Sequence, residues 1–158
     1  MSDLKNGAAE QAHLRGLERL YDAAPINSMF DSRLTLRETG ISRIRFTVDD
    51  EHFHAAGAAH GTIYFKMLDD AAFYAVNTLV SDVFILTTAF NLLMERPVPA
   101  GPLVAEGRFV SGRRRLFVGE STLTTADGEE VARGTGTFMR SKIPLMDLPG
   151  YVDADTSN

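Results

Sequence analysis

The sequence predicts an α+β fold in which a curved antiparallel β-sheet wraps around one long central helix. Three observations carry this. Residues 61–79 read as a helix that is apolar on nearly every side, so other elements must cover it. Two strands precede that helix and four follow it, and consecutive strands joined by short turns pair antiparallel. One further amphipathic helix stands ahead of the first strand, giving the order helix, β, β, helix, β, β, β, β with no internal repeat.

Each element has its own signal. Residues 8–24 place Leu14, Leu17, Leu20, Tyr21 and Ala24 on one broad helical face, and Pro25 stops the helix. Gly16 interrupts the pattern without ending it. Residues 33–38 and 42–48 are strands across Thr39-Gly40; in the second, Ile44, Phe46 and Val48 alternate with Arg43, Arg45 and Thr47. The stretch from His54 to His60 is too rich in Gly and Ala for a regular strand. Ser81-Asp82 is expected to end the central helix, and residues 84–94 form a strand closed by Pro97, which would break ladder pairing. Residues 103–111 and 115–124 make a hairpin over Gly112-Arg113-Arg114. The last turn is Ala126-Asp127-Gly128, and its return strand spans 130–140. Gly134 and Gly136 there imply that another backbone packs very close.

At 158 residues the chain fits one domain, with residues 1–28 as an N-terminal helical extension and 143–158 as an irregular C-terminal tail. Apolar content of 44% and charged content of 23% are ordinary for a globular protein. The net charge of −5 argues against bulk nucleic-acid binding. Without cysteine there is no disulfide framework, thiolate nucleophile or Cys-based zinc site. No apolar run approaches the roughly 18 residues that span a bilayer, and the first residues lack the apolar core of a signal peptide. A cytoplasmic protein without membrane partners is expected.

The chemistry concentrates in residues 54–88. A helix N-terminus offers unpaired backbone N–H groups and about half a positive charge, and at Gly61 no Cβ obstructs an approaching carbonyl oxygen. More than two turns on, Asp69 and Asp70 interrupt the apolar surface. Lys66 and Asp70 stand four apart and can pair, which gives Asp70 a solvated or paired role; Asp69, three from Lys66, is separated from it only slightly by spacing. His54, His60 and Asp69 fit no standard metal-ligand spacing, so no metal is expected.

These residues together resemble a known family. His60-Gly61, then Leu68-Asp69 and Ala71-Ala72, resembles the HGG-x6-D-x-A signature of PaaI-like hotdog thioesterases. Thr87-Thr88, Asn91, Arg96-Pro97-Val98 and Gly101 are similar to that family's following strand and turn, and Asp127-Gly128 through Phe138 to its closing hairpin. The ordered set covers residues 33–140. The resemblance implies the hotdog fold and hydrolysis of an acyl-CoA thioester to free acid and coenzyme A, in a homodimer or dimer of dimers with the site at the subunit interface. Coenzyme A is then part of the substrate, and no cofactor is implied.

Carried over by position, Asp69 matches the family's catalytic carboxylate, acting as general base on water or as nucleophile. The Gly61 N–H matches the oxyanion donor, His60 the histidine that orients the site, and Thr87 a hydroxyl on the facing strand, expected from the other subunit. Two departures stand out. Thr62 replaces a second Gly and would line the substrate's approach, and His54 stands where the family usually carries an Asn that assists the carbonyl or the water. Both keep a second reading open, an acyl-CoA-binding hotdog protein without turnover. A hotdog dehydratase is disfavoured, because its paired His and acid spacing is not found.

Arg113, Arg114 and Arg115 read either as a solvated turn or as contacts for the phosphates of coenzyme A, with Arg96 expected to join the same patch. Strand 84–94 is apolar on both faces, which suits an edge covered by its twin in a second copy.

Overall fold

The computed structural model describes residues 2–153, and of residues 2–6 the backbone alone. Two α-helices, α1 (Ser2–Ala23) and α2 (Gly61–Asn77), accompany β1 (Ser32–Thr35), β2 (Ile41–Val48), β3 (Val83–Met94), β4 (Gly101–Arg113), β5 (Leu116–Thr125) and β6 (Glu130–Pro144). The strands form one antiparallel sheet in the order β1-β2-β4-β5-β6-β3. This is the expected hotdog arrangement. No helix among the described residues is long and apolar enough to cross a membrane.

The pleat of β2 shows why the sheet has an inner face. Ser42, Ile44, Phe46 and Val48 are buried, while Arg43, Arg45 and Thr47 point outward. α2 lies directly on that inner face. The Ser42 hydroxyl donates to the Ala71 carbonyl at 2.5 Å, and the Ser121 hydroxyl donates to the Leu68 carbonyl at 2.7 Å. The approach is so close that a Cβ on Gly107 would fall 1.9 Å from the Ala71 oxygen. Only glycine fits there.

The sheet does not cover α2 alone. α1 buries Leu14, Leu17, Leu20 and Tyr21, and Tyr21 meets Tyr74 of α2 edge-on with ring centroids 5.5 Å apart. The buried His13 bonds the Asn77 carbonyl at 2.9 Å through Nε2 and the Tyr151 hydroxyl at 2.7 Å through Nδ1. α2 is therefore enclosed from both sides, by the sheet and by α1.

Several boundaries depart from the sequence reading, each for a local reason. α1 extends back to Ser2. α2 stops at Asn77 instead of 79, because the Asn77 side chain leaves the helix to donate to the Val80 carbonyl at 2.9 Å and accept from Ile85 N–H at 3.3 Å. The β4–β5 turn sits at Arg114-Arg115 rather than Gly112–Arg114, since Arg113 pairs with Leu116. Arg114 there adopts φ 58°, the left-handed backbone that tight hairpins favour. The nearest neighbour of Gly134 and Gly136 is the Phe90 ring of β3, which a Cβ on either would meet at 2.3 or 2.6 Å. The expected close backbone is present at Gly134, where the Asn91 carbonyl oxygen would lie 3.2 Å from the Cβ, and not among the nearest atoms at Gly136.

The region from 143 is more ordered than an irregular tail. β6 continues through Pro144, a short 3-10 turn spans Leu145–Asp147, and Leu145 is fully buried. Tyr151 packs on Gly16, whose missing Cβ leaves room for the ring, and Arg19 donates to the Gly150 and Tyr151 carbonyls at 3.1 and 2.7 Å. Residues 154–158 of that tail lie outside the described residues.

Candidate active site

β3 is an outer strand of the sheet and runs antiparallel along α2, and both Gly61 and Asp69 can be located against it. Met94 sulfur lies 3.3 Å from where a Gly61 Cβ would stand. Phe90 meets Phe65 edge-on at 5.5 Å, the Thr87 hydroxyl donates to Asp69 Oδ1 at 2.9 Å, and Phe84 meets Phe73 at 5.0 Å. Gly61, Phe65, Asp69 and Phe73 are four residues apart, so they form one stripe of the helix beneath the strand.

Asp69 opens into a groove of about 260 Å³ that Ile26, Phe73, Phe84, Leu86 and Thr87 help to line. Burial pushes its carboxyl up to about 6; the Thr87 hydrogen bond draws it down, the neighbouring Asp70 raises it and Lys66 lowers it. A carboxylate with that value is ionised at neutral pH yet basic enough to take a proton from water. The Thr87 partner comes from the same chain, where the family resemblance had implied the other subunit.

Asp70 has the paired role. Lys66 Nζ binds its Oδ2 and also donates to Asn27 Oδ1 at 2.6 Å, while sitting over the rings of Phe30 and Tyr21 at 5.2 and 5.4 Å. Burial raises the Asp70 carboxyl and the Lys66 cation lowers it. Burial alone therefore does not separate the two acids. Partnership does: Asp70 is neutralised by a cation, and Asp69 is held by a neutral hydroxyl.

The helix start forms a second group. His60 caps α2, its Nδ1 accepting from the Thr62 backbone N–H at 3.1 Å and lying 3.0 Å from the Thr62 hydroxyl. The Gly61 N–H has no partner among the described residues. His54 sits in the exposed loop, where its Nδ1 accepts from Ala56 N–H at 3.0 Å. His60 and Thr62 line a different groove, shared with Met29, Phe30, His52 and Phe53. Within one chain the two groups do not converge. Gly61 and Asp69 are eight helical steps apart, roughly 12 Å along the axis.

The arginines divide likewise. Arg113, Arg114 and Arg115 stand at the β4–β5 tip, exposed and without an ion pair among the described residues. Arg96 follows the far end of β3, pairs with Glu129 and accepts the Tyr64 hydroxyl on its carbonyl at 2.8 Å. The length of β5 separates the two places, so Arg96 does not join the Arg113–Arg115 patch of its own chain.

Sequence reasoning passed over residues 24–27 at the Asp69 groove and the Ser42 and Ser121 hydroxyls that seat α2. The serines carried a readable signal, since Ser42 falls on the inward phase of the β2 alternation.

Comparison with known proteins gives the family context. The thioesterase superfamily model matches residues 56–132, from the loop before α2 into β6. A Saccharolobus solfataricus protein whose name provisionally calls it an esterase is 28% identical over 102 residues, 65% of this chain and 68% of its own. The Escherichia coli PaaI protein from the phenylacetic acid degradation operon superposes with TM-score 0.78 at 18% identity, covering 85% of this chain and 97% of that one. A mutant PaaI from Thermus thermophilus superposes with TM-score 0.67 at 24% identity, over 74% and 99%. The Haemophilus influenzae thioesterase HI1161 gives 0.72 at 16%, over 85% and 92%. At these identities the solved structures establish the hotdog fold.

Proposed function

Starting from a hotdog chain whose residues 56–132 match the thioesterase superfamily, we propose that it hydrolyses acyl-CoA thioesters to free acid and coenzyme A as a homodimer. The observation that carries this is Asp69, a groove-lining carboxylate raised to about 6 and hydrogen-bonded by Thr87. The raised value favours the general-base route over nucleophilic attack. Asp69 takes a proton from water as the water oxygen bonds to the thioester carbon. The carbonyl oxygen gains the electron pair and is held by the Gly61 N–H; collapse breaks the C–S bond, and the thiolate recovers the proton from Asp69.

The separation of Gly61 from Asp69 makes the second copy part of this reading. One carbonyl cannot lie within hydrogen-bond range of both groups on a single helix. The unpaired edge of β3 leaves Leu86, Leu93 and Met94 about half exposed at 47%, 57% and 53%. Pairing two such edges across a two-fold would cover them and set the Gly61 of one copy toward the Asp69 of the other. A dimer of dimers would need a second two-fold through a different face, since the first closes on itself. His60 and Thr62 shape the helix end, and His54 is the further candidate helper, in the loop that precedes the helix. The unpaired Arg113, Arg114 and Arg115 are assigned to the coenzyme A phosphates ahead of Arg96, whose charge Glu129 already satisfies. A cytoplasmic setting accords with such a substrate.

Release of coenzyme A from a panel of short, medium, long and aryl thioesters tests the reading. Turnover that falls by about 10²-fold or more in Asp69→Asn is expected. Saturable binding with no release from any substrate would favour the acyl-binding alternative and overturn the catalytic one.

A further inference from the structure

Residues 24–27 precede the stretch that matches the superfamily, yet Ala24, Ile26 and Asn27 wall the groove that contains Asp69. Ile26 is 54% exposed although it is a branched aliphatic residue lining an apolar groove, so the chain itself leaves it uncovered. The segment is nevertheless fixed in place. Asn27 Nδ2 donates to the Tyr21 carbonyl at 2.7 Å, and Asn27 Oδ1 accepts from Lys66, which also binds Asp70 beside Asp69. Its position is thus registered to the helix that carries the carboxylate.

We propose that Ile26 is a specificity-determining residue, residues 24–27 forming a wall of the acyl-binding groove and the side chain at 26 limiting the size of the acyl group accepted. The inference rests on the thioesterase reading above. Two carboxyl groups, Asp69 and Asp70, line the groove and no cationic side chain does, so an acyl group carrying a negative charge is disfavoured. The remaining lining is largely apolar, with Phe73 and Phe84 packed at 5.0 Å on the helix and strand sides. The groove is about 260 Å³. A cavity of about 150 Å³ holds benzene, so at the same density roughly ten carbon atoms fill this one.

The test uses the full chain with Ile26→Ala and Ile26→Trp, and straight-chain acyl-CoAs from acetyl to palmitoyl as probes. The Ile26→Trp variant should lower kcat/KM for the longest good substrate relative to acetyl-CoA by about tenfold or more, and Ile26→Ala should move the limit to longer chains. Because Ile26 is half exposed, both variants should melt close to the wild type. Three superimposable chain-length profiles would overturn the proposal while leaving the thioesterase reading intact. If the wild type released coenzyme A neither from these nor from aryl thioesters, the thioesterase reading itself would fail. Calorimetry with non-hydrolysable S-alkyl-CoA thioethers would then decide the wall: a length limit that moves with residue 26 supports it, and an unmoved one overturns it.

Discussion

The Thr87 hydroxyl on β3 donates to Asp69 on α2 at 2.9 Å, joining an edge strand to the middle of the enclosed helix. The donor stabilises the ionised carboxyl while burial opposes it, and burial is the larger influence. This balance sets both the chemistry expected of Asp69 and its cost to the fold.

Asp69→Asn is expected to lower kcat by about 10²–10⁴-fold, the usual worth of a positioned base, and to stabilise the protein at neutral pH. The folded-state value of about 6 lies above the ordinary aspartate value of 3.8, so the folded state binds more protons between them. Stability from this group is present below about 4 and lost as pH rises through 6. The asparagine variant escapes that loss. Denaturant unfolding should show it more stable by about 1–2 kcal/mol at pH 7–8, with the difference fading toward pH 4.

The acid limb of kcat/KM should report the same carboxyl, with activity falling below about pH 6 as Asp69 is protonated. Thr87→Val removes the hydrogen bond that draws its value down, so the limb should move to higher pH. Thr87→Ser keeps a hydroxyl and should leave the limb near the wild-type position. A limb insensitive to Thr87→Val would detach the pH dependence from Asp69.

His60 separates capping from substrate contact. Its ring accepts the Thr62 N–H, so His60→Ala should cost about 0.5–2 kcal/mol, measured by chemical denaturation. Asparagine is a favoured cap and should recover most of that stability. If His60 acts by holding the helix start, His60→Asn also keeps most of the activity. If its ring touches the substrate, stability returns and turnover does not.

The distinction between what was legible and what was not follows from periodicity. The inward phase of β2, the apolar stripe of α1 and the all-round apolar character of α2 are local patterns, and the elements match them. The Lys66–Asp70 pair was likewise readable from four-residue spacing. Long-range contacts were not. Nothing in the spacing of His13 announces Tyr151, 138 residues away, and nothing near Gly134 and Gly136 announces the Phe90 ring that lies closest to both. The same blindness hid the groove wall, because Ile26 and Asp69 come to line one groove only after α1 folds back on α2. Motif position distinguished Asp69 from Asp70, whereas spacing barely did; the structure adds the reason, a cation on one and a hydroxyl on the other.

Gly61→Pro tests the oxyanion donor without destroying the helix. Proline suits the first helical position, where its missing N–H removes no intrahelical bond. The preceding His60 already has φ −64° and ψ 146°, the extended conformation that a following proline requires. The nearest obstacle to a new Cβ is the flexible end of Met94. The variant should therefore fold while losing about 10²–10³ in kcat, the worth of one such donor. Mixing it with Asp69→Asn then separates the two possible geometries. If the donor and base of each site come from different copies, a mixed dimer has one site lacking both and one site intact, so activity returns to as much as half the wild-type value per mixed dimer. If both come from one copy, every site carries one defect and mixing restores nothing. Activity regained on unfolding and refolding the two variants together, against each refolded alone, reads the difference.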